Sequence, residues 1–193
     1  YLLSPINCRL EKSDRRIVEM LTAARNANTD RFLTFFDATP ERTRDWLCNS
    51  VAYDETRILF VLKEIETGAL CGYMGLAYGD DRGERIEGDA IVKFASKTQP
   101  GLMRKAFTVL VEWASGCLGF KEVWVRVLSD NPAIAFYEKC HFIRIRDAQL
   151  YEVMNSQKVV QELTERSNEG LLPSSRRLTH MKYQPNEYIP LRP

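Results

Sequence analysis

Apolar and polar positions change rhythm repeatedly along this chain, and each change marks a switch between strand and helix. Residues 6–12, INCRLEK, alternate with a period of two and predict a short strand. Ser13 then stands where a helix N-cap belongs, ahead of an apolar face made of Ile17, Val18, Leu21 and Ala24. Thr39-Pro40-Glu41 opens a second helix, with Pro one place after the capping residue and Trp46, Leu47 and Val51 on the apolar side. Residues 57–78 are rich in strand formers on both sides of Thr67-Gly68 and predict a hairpin. After the DDRGER turn, IEGDAIVKFAS over residues 86–96 reads as a fourth strand.

Gln99-Pro100-Gly101 precedes the strongest helical signal, in which Leu102, Ala106, Val109, Leu110, Trp113 and Cys117 recur at helical spacing until Gly119. Residues 123–128, VWVRVL, follow as a strand; Asn131-Pro132 opens a short amphipathic helix, and FIRI at 142–145 is the next strand. Beyond Asp147 the signal weakens. KVVQELTER at 158–166 is spaced as a helix, SNEGLLPSSRR is loop-like, and LTHMKY at 178–183 forms a last strand. The order predicts one α+β domain over residues 1–193, a mixed sheet with helices on both faces, carrying an irregular insertion at about 147–177. At roughly thirty residues, that insertion exceeds what a connection needs and points to function or partner binding.

Composition narrows the function classes. With 193 residues, 45% hydrophobic, 27% charged and a formal net charge of +1, the chain gives no reason to expect a nucleic-acid or membrane-surface partner. Cys8, Cys48, Cys71, Cys117 and Cys140 are odd in number and lack CxxC spacing, so neither a zinc site nor a disulfide framework is expected, and a reducing, cytoplasmic compartment fits. No apolar run approaches the roughly 20 residues of a membrane helix, and residues 1–16 lack the layout of a signal peptide.

The stretch DNPAIAFYEKCHF, residues 130–142, carries the functional clue. Its Ala133, Tyr137, Glu138, Lys139 and Phe142 resemble a local pattern of the GNAT superfamily of N-acetyltransferases, and the element order extends the resemblance over residues 6–183. The resemblance implies the acyl-CoA N-acyltransferase fold, α+β with a mostly antiparallel mixed sheet of six to seven strands. There are departures. The family's cofactor-loop positions fall on Thr98, Gly101 and Met103, so one glycine is kept; His141 stands where the family has Gly; Asp130 takes the usual Asn position with Asn131 next to it.

The resemblance implies transfer of an acetyl or other short acyl group from coenzyme A to a primary amine by direct attack, without metal. The amides of Leu102, Met103, Arg104 and Lys105 behind Gly101 would meet the pyrophosphate at a helix start, with charge from Lys97, Arg104 and Lys105. Asn131 would bond the cofactor or cap its helix. Tyr137 would protonate the leaving sulfur; Glu87 or Asp89, two apart on one strand face, would be the general base, with His180 as an alternative. Taken singly, the same features read as a Pro-Gly turn, a core aromatic and a solvated strand face. Residues 24–37 and 147–177 would shape the pocket for a small-molecule amine, with an amino sugar on a nucleotide carrier preferred. Three alternatives stand beside this reading: a protein N-terminal or lysine acetyltransferase, a non-catalytic module of the same fold, and an interaction protein that uses residues 147–177. A homodimer is compatible with each.

Overall fold

A computed structural model describes residues 1–8, 14–94, 99–157 and 159–185. Eight strands form one sheet in the order β1-β2-β3-β4-β5-β8-β6-β7. In chain order the elements are β1 (Leu2–Pro5), α1 (Arg15–Asn26), α2 (Pro40–Trp46), β2 (Ile58–Lys63), β3 (Leu70–Ala77), β4 (Arg85–Lys93), α3 (Leu102–Gly116), β5 (Glu122–Leu128), α4 (Ala133–Lys139), β6 (Phe142–Met154), β7 (Val160–Thr164) and β8 (Leu172–Tyr183). All ladders are antiparallel except β4 with β5.

Local signals explain several elements. Thr39 accepts the Arg42 N–H at 3.2 Å and caps α2, with Pro40 at the first helical position. The β2–β3 hairpin turns at Gly68, whose φ of +68° lies in the left-handed region open to glycine. α1 buries Ile17, Val18, Leu21 and Ala24 as its spacing predicts, but its N-cap is Asp14, whose carboxylate accepts the Arg16 N–H; Ser13 and most of the strand expected at 6–12 lie outside the described residues. α3 is rolled relative to the expected face. Phe107, Val111 and Ala114 are buried with Leu102, Ala106 and Leu110, while Val109 and Cys117 are exposed.

The sheet separates two helical layers. α3 and α4 cover one face over Phe60, Met74, Leu76, Val125, Phe142 and Met181; α1 covers the other over Leu59, Val61, Tyr73 and Val92. β3 is buried along its whole length because both faces are covered. A third cluster, Leu128, Ala148, Leu150, Leu163 and Leu178, packs against Leu33 and Phe35.

Residues 147–177 are not an irregular insertion. β6 runs on to Met154, β7 turns back along it, and β8 begins at Leu172, so the sheet has eight strands against an expected six to seven. The helix expected at 158–166 is strand over Val160–Thr164. Its Gln, Glu and Leu favour helix locally, but β6 pairs one edge and residues 33–35 the other, through Phe35 N–H to Gln161 C=O at 2.8 Å and Leu163 N–H to Leu33 C=O at 2.7 Å. In the turn before β6, where a glycine would be unstrained, His141 itself takes the left-handed conformation at φ +65°.

Candidate active site

The β4–β5 pair is the break in the sheet. Only Arg85↔Glu122, Ile86↔Val123 and Glu87↔Trp124 are in register; beyond them both strands continue without pairing to each other, which leaves a gap between their upper halves. Two features part them. Phe107 from α3, fully buried, presses where they diverge: a Cβ on Gly88 would sit 2.8 Å from its ring and 3.1 Å from Val125. A bulge follows, because Gly75 faces Asp89 while Tyr73 faces Val92, and Ala90 takes a left-handed φ of +52° to accommodate the additional residue.

The two candidate bases fall on opposite sides of this fork and have opposite surroundings. Glu87, in the paired half and 7% exposed, accepts from Arg85 Nη2 at 2.7 Å and Arg126 Nε at 2.6 Å. Two guanidinium groups engage both of its oxygens, an arrangement suited to structure. Asp89, in the open half, has one arginine, Arg57 Nη1 at 3.4 Å. Burial pushes its carboxyl above the usual carboxylate range, against the opposing pull of Arg57 and the Ala90 amide. A carboxylate with its pKa raised in this way is a better proton acceptor than an ordinary one.

Tyr137 reaches toward the same place from α4. Its ring packs at 5.3 Å from Phe136, 6.0 Å from Phe107 and 6.1 Å from Phe142. Burial, then the charge of Asp89, holds the phenol far above its ordinary pKa, so the proton stays on the oxygen. Cys140, one turn on, is pushed up to about 11 by burial and stays a thiol, unsuited to act as a nucleophile.

At the start of α3, Gly101 caps the helix with φ +78°. The Leu102 N–H donates to Gln99 C=O at 3.2 Å and the Lys105 N–H to Gly101 C=O at 3.0 Å, which commits two of the four expected amides. The Leu102 side chain is buried, while Arg104 and Lys105 are exposed at the helix end. Gly101 brings no side-chain cap, and Met103 and Arg104 stand in the first turn, where amides lack intrahelical partners. Lys97 and Thr98 lie outside those residues. Asn131 Oδ1 accepts the Ala133 N–H at 2.9 Å and Arg31 Nη1 at 3.4 Å, so it caps α4 and ties the α1–α2 connection to it.

The alternative base is elsewhere. His180, 4% exposed on β8, has Nε2 2.7 Å from Glu165 Oε1, and β8 lies across β5 from the gap. Glu165 also meets Arg126 at 3.6 Å and Arg146 at 3.4 Å, so a chain of ion pairs runs from Glu87 through Arg126 to Glu165, which His180 contacts. Arg57 and Arg126, which pair with Asp89 and Glu87, were not singled out from sequence, because each lies far along the chain from its partner. Among the described residues no group of His, Cys, Asp and Glu is arranged to hold a metal ion, and no helix is long and apolar enough to cross a membrane.

Residues 9–143 match the family model described as "Acetyltransferase (GNAT) domain". Solved structures with the same fold include a variant of spermidine N-acetyltransferase SpeG from Vibrio cholerae, 15% identical, TM-score 0.64, covering 95% of this chain and 94% of that one. Another is the Vibrio cholerae enzyme in complex with manganese ions, 16% identical, TM-score 0.60, covering 94% and 90%. A chimera of the Vibrio cholerae enzyme with hSSAT is 17% identical, TM-score 0.63, covering 95% and 96%. No curated protein matches the sequence.

Proposed function

From the premise that the chain belongs to the GNAT acetyltransferase family and is an acetyl-CoA-dependent N-acetyltransferase, we propose that it acetylates the primary amine of a small molecule in the β4–β5 gap, with Asp89 as general base and Tyr137 as general acid. The observation that carries this reading is the opening of the sheet beyond Glu87 with Asp89 and Tyr137 within electrostatic reach of each other at the opening. The expected cofactor set is narrowed accordingly: Gly101 with the amides of Met103 and Arg104 would receive the pyrophosphate, and Arg104 and Lys105 would add charge. Leu102 serves the core and Asn131 the α4 cap.

When bound, acetyl-coenzyme A supplies a thioester carbonyl open to attack by an unprotonated amine. Asp89 takes the proton that the amine must lose. Tyr137, buried and protonated, donates to the sulfur that departs. The two steps help each other: once Asp89 holds a proton it no longer carries the charge that keeps the Tyr137 proton in place, so the base step favours the acid step. With Cys140 a thiol at neutral pH, direct transfer is favoured over an acyl-enzyme. The acceptor enters from the α1 face, on which Asp89 meets Arg57, and an amino sugar on a nucleotide carrier remains the preferred candidate. Calorimetric titration with acetyl-coenzyme A tests the proposal: binding near 1 μM, about 8 kcal/mol, is expected, and no detectable heat would refute it.

A further inference from the structure

Charge on the α1 face is unevenly settled. Four carboxylates on this face have arginine partners: Glu87 has Arg85 and Arg126, Glu165 has Arg126 and Arg146, and Asp54 and Asp89 share Arg57. Arg25 has no carboxylate partner among the described residues. Its Nη2 donates to the Thr34 carbonyl and hydroxyl, and its guanidinium lies 3.9 Å from the Phe32 ring centroid and 4.7 Å from that of Phe36. Aromatic faces fix the plane of a guanidinium but accept no in-plane hydrogen bond, so its Nη1 is unserved.

Arg25 Nη1 and Arg57 Nε are, among the described residues, the two buried side-chain nitrogen or oxygen atoms with no hydrogen-bond partner. Such atoms are rare and call for a reason. Both belong to arginines on one face: Arg57 stands 3.4 Å from Asp89, and Arg25 is carried by α1, whose Ala24 packs in one cluster with Tyr73 and with Ala90, the neighbour of Asp89. An oligoamine arriving beside Asp89 would find its carboxylate already paired with Arg57, and Arg25 without a counter-charge among the described residues.

We propose that the acceptor is an amine that also carries an anionic oxygen group, a carboxylate or a phosphate, and that Arg25 receives that group while Asp89 faces the nitrogen. This rests on the acetyltransferase reading and names the substrate class of the same site. A guanidinium offers paired, coplanar donors that match either anion, and Arg25 supplies one without dismantling an ion pair, whereas Arg57 is already held by Asp54 at 3.3 Å and Asp89 at 3.4 Å. Arg25 Nη1 is closed to water, so the anion enters with an adjustment of residues 32–36, which carry the two rings over Arg25.

The test compares kcat/KM for matched acceptors: free α-amino acids against their carboxamides, nucleoside-diphosphate-linked amino sugars against the free amino sugars, and spermidine as an anion-free oligoamine. One anionic member is expected to exceed its neutral counterpart by about tenfold or more, and which pair responds distinguishes carboxylate from phosphate. In Arg25→Gln that ratio should collapse toward one, with Arg25→Lys retaining part of it. Arg57 is left unchanged because its loss would also strip Asp89 of its counter-charge. Calorimetry with acetyl-coenzyme A on each variant reports an intact fold and cofactor site independently of the acceptor. Equal rates for charged and neutral partners, preference for spermidine, a ratio that survives Arg25→Gln, or no turnover of any anionic amine by protein that binds acetyl-coenzyme A would each overturn the inference. Failure to bind acetyl-coenzyme A is a different result, and it removes the acetyltransferase reading first.

Discussion

The paired and open halves of the β4–β5 contact carry one carboxylate each, two residues apart on the same strand face, and do opposite things with it. In the paired half the ladder brings Arg126 beside Glu87, and with Arg85 it settles the charge. In the open half no ladder partner faces Asp89 across the gap; one arginine at 3.4 Å offsets only part of the cost of burial. The comparison teaches that the fork in the sheet, more than the identity of the side chain, decides which carboxylate can exchange a proton.

The largest effect should come from removing the proton acceptor in the open half. Asp89→Asn is expected to lower kcat/KM by about 10²–10⁴-fold while leaving acetyl-coenzyme A affinity nearly unchanged, read by steady-state kinetics and calorimetry. Tyr137→Phe should cost about 10²-fold in kcat with the fold intact, since the ring and its three aromatic neighbours remain. An unchanged rate in either variant would dissolve the contrast between the halves.

Glu87→Gln should act through stability. It leaves Arg85 and Arg126 without their shared carboxylate, and a loss of about 3 kcal/mol in denaturant unfolding is expected, at the lower end for a broken buried pair because both arginines are partly exposed. Below its melting temperature the variant should keep most of its turnover. The smallest effect is expected from Gly101→Ala, which meets no neighbour but forces a Cβ into the left-handed region at about 1–2 kcal/mol, with only a few-fold change in acetyl-coenzyme A affinity.

Much of the fold was legible because its signals are local. Thr39 with Pro40, the Gly68 turn and the periodic face of α1 each declare themselves within a few residues. β7 was not legible: its residues favour helix, and the partners that make it a strand lie at residues 33–35 and along β6. The candidate site divides the same way. The Tyr137 motif is contiguous and could be read, and Glu87 and Asp89 could be read as a pair but not told apart. What separates them, Arg126 at 39 residues' distance, the bulge at Ala90 and the Phe107 wedge, exists only after the chain has folded. Arg25 likewise reads as an ordinary basic residue on a helix until its unmet nitrogen is found beneath Phe32 and Phe36.

The division of labour between the two carboxylates is tested most directly by kcat/KM against pH for the unmodified protein, Asp89→Asn and Glu87→Gln, all with the same acceptor. A base works only when unprotonated, and burial raises the Asp89 pKa, so activity should fall as pH drops through a value above the ordinary carboxylate range. The account predicts that this acid limb appears in the unmodified protein and in Glu87→Gln and is absent from Asp89→Asn. A limb that persists in Asp89→Asn and vanishes in Glu87→Gln would place the base in the paired half and contradict it.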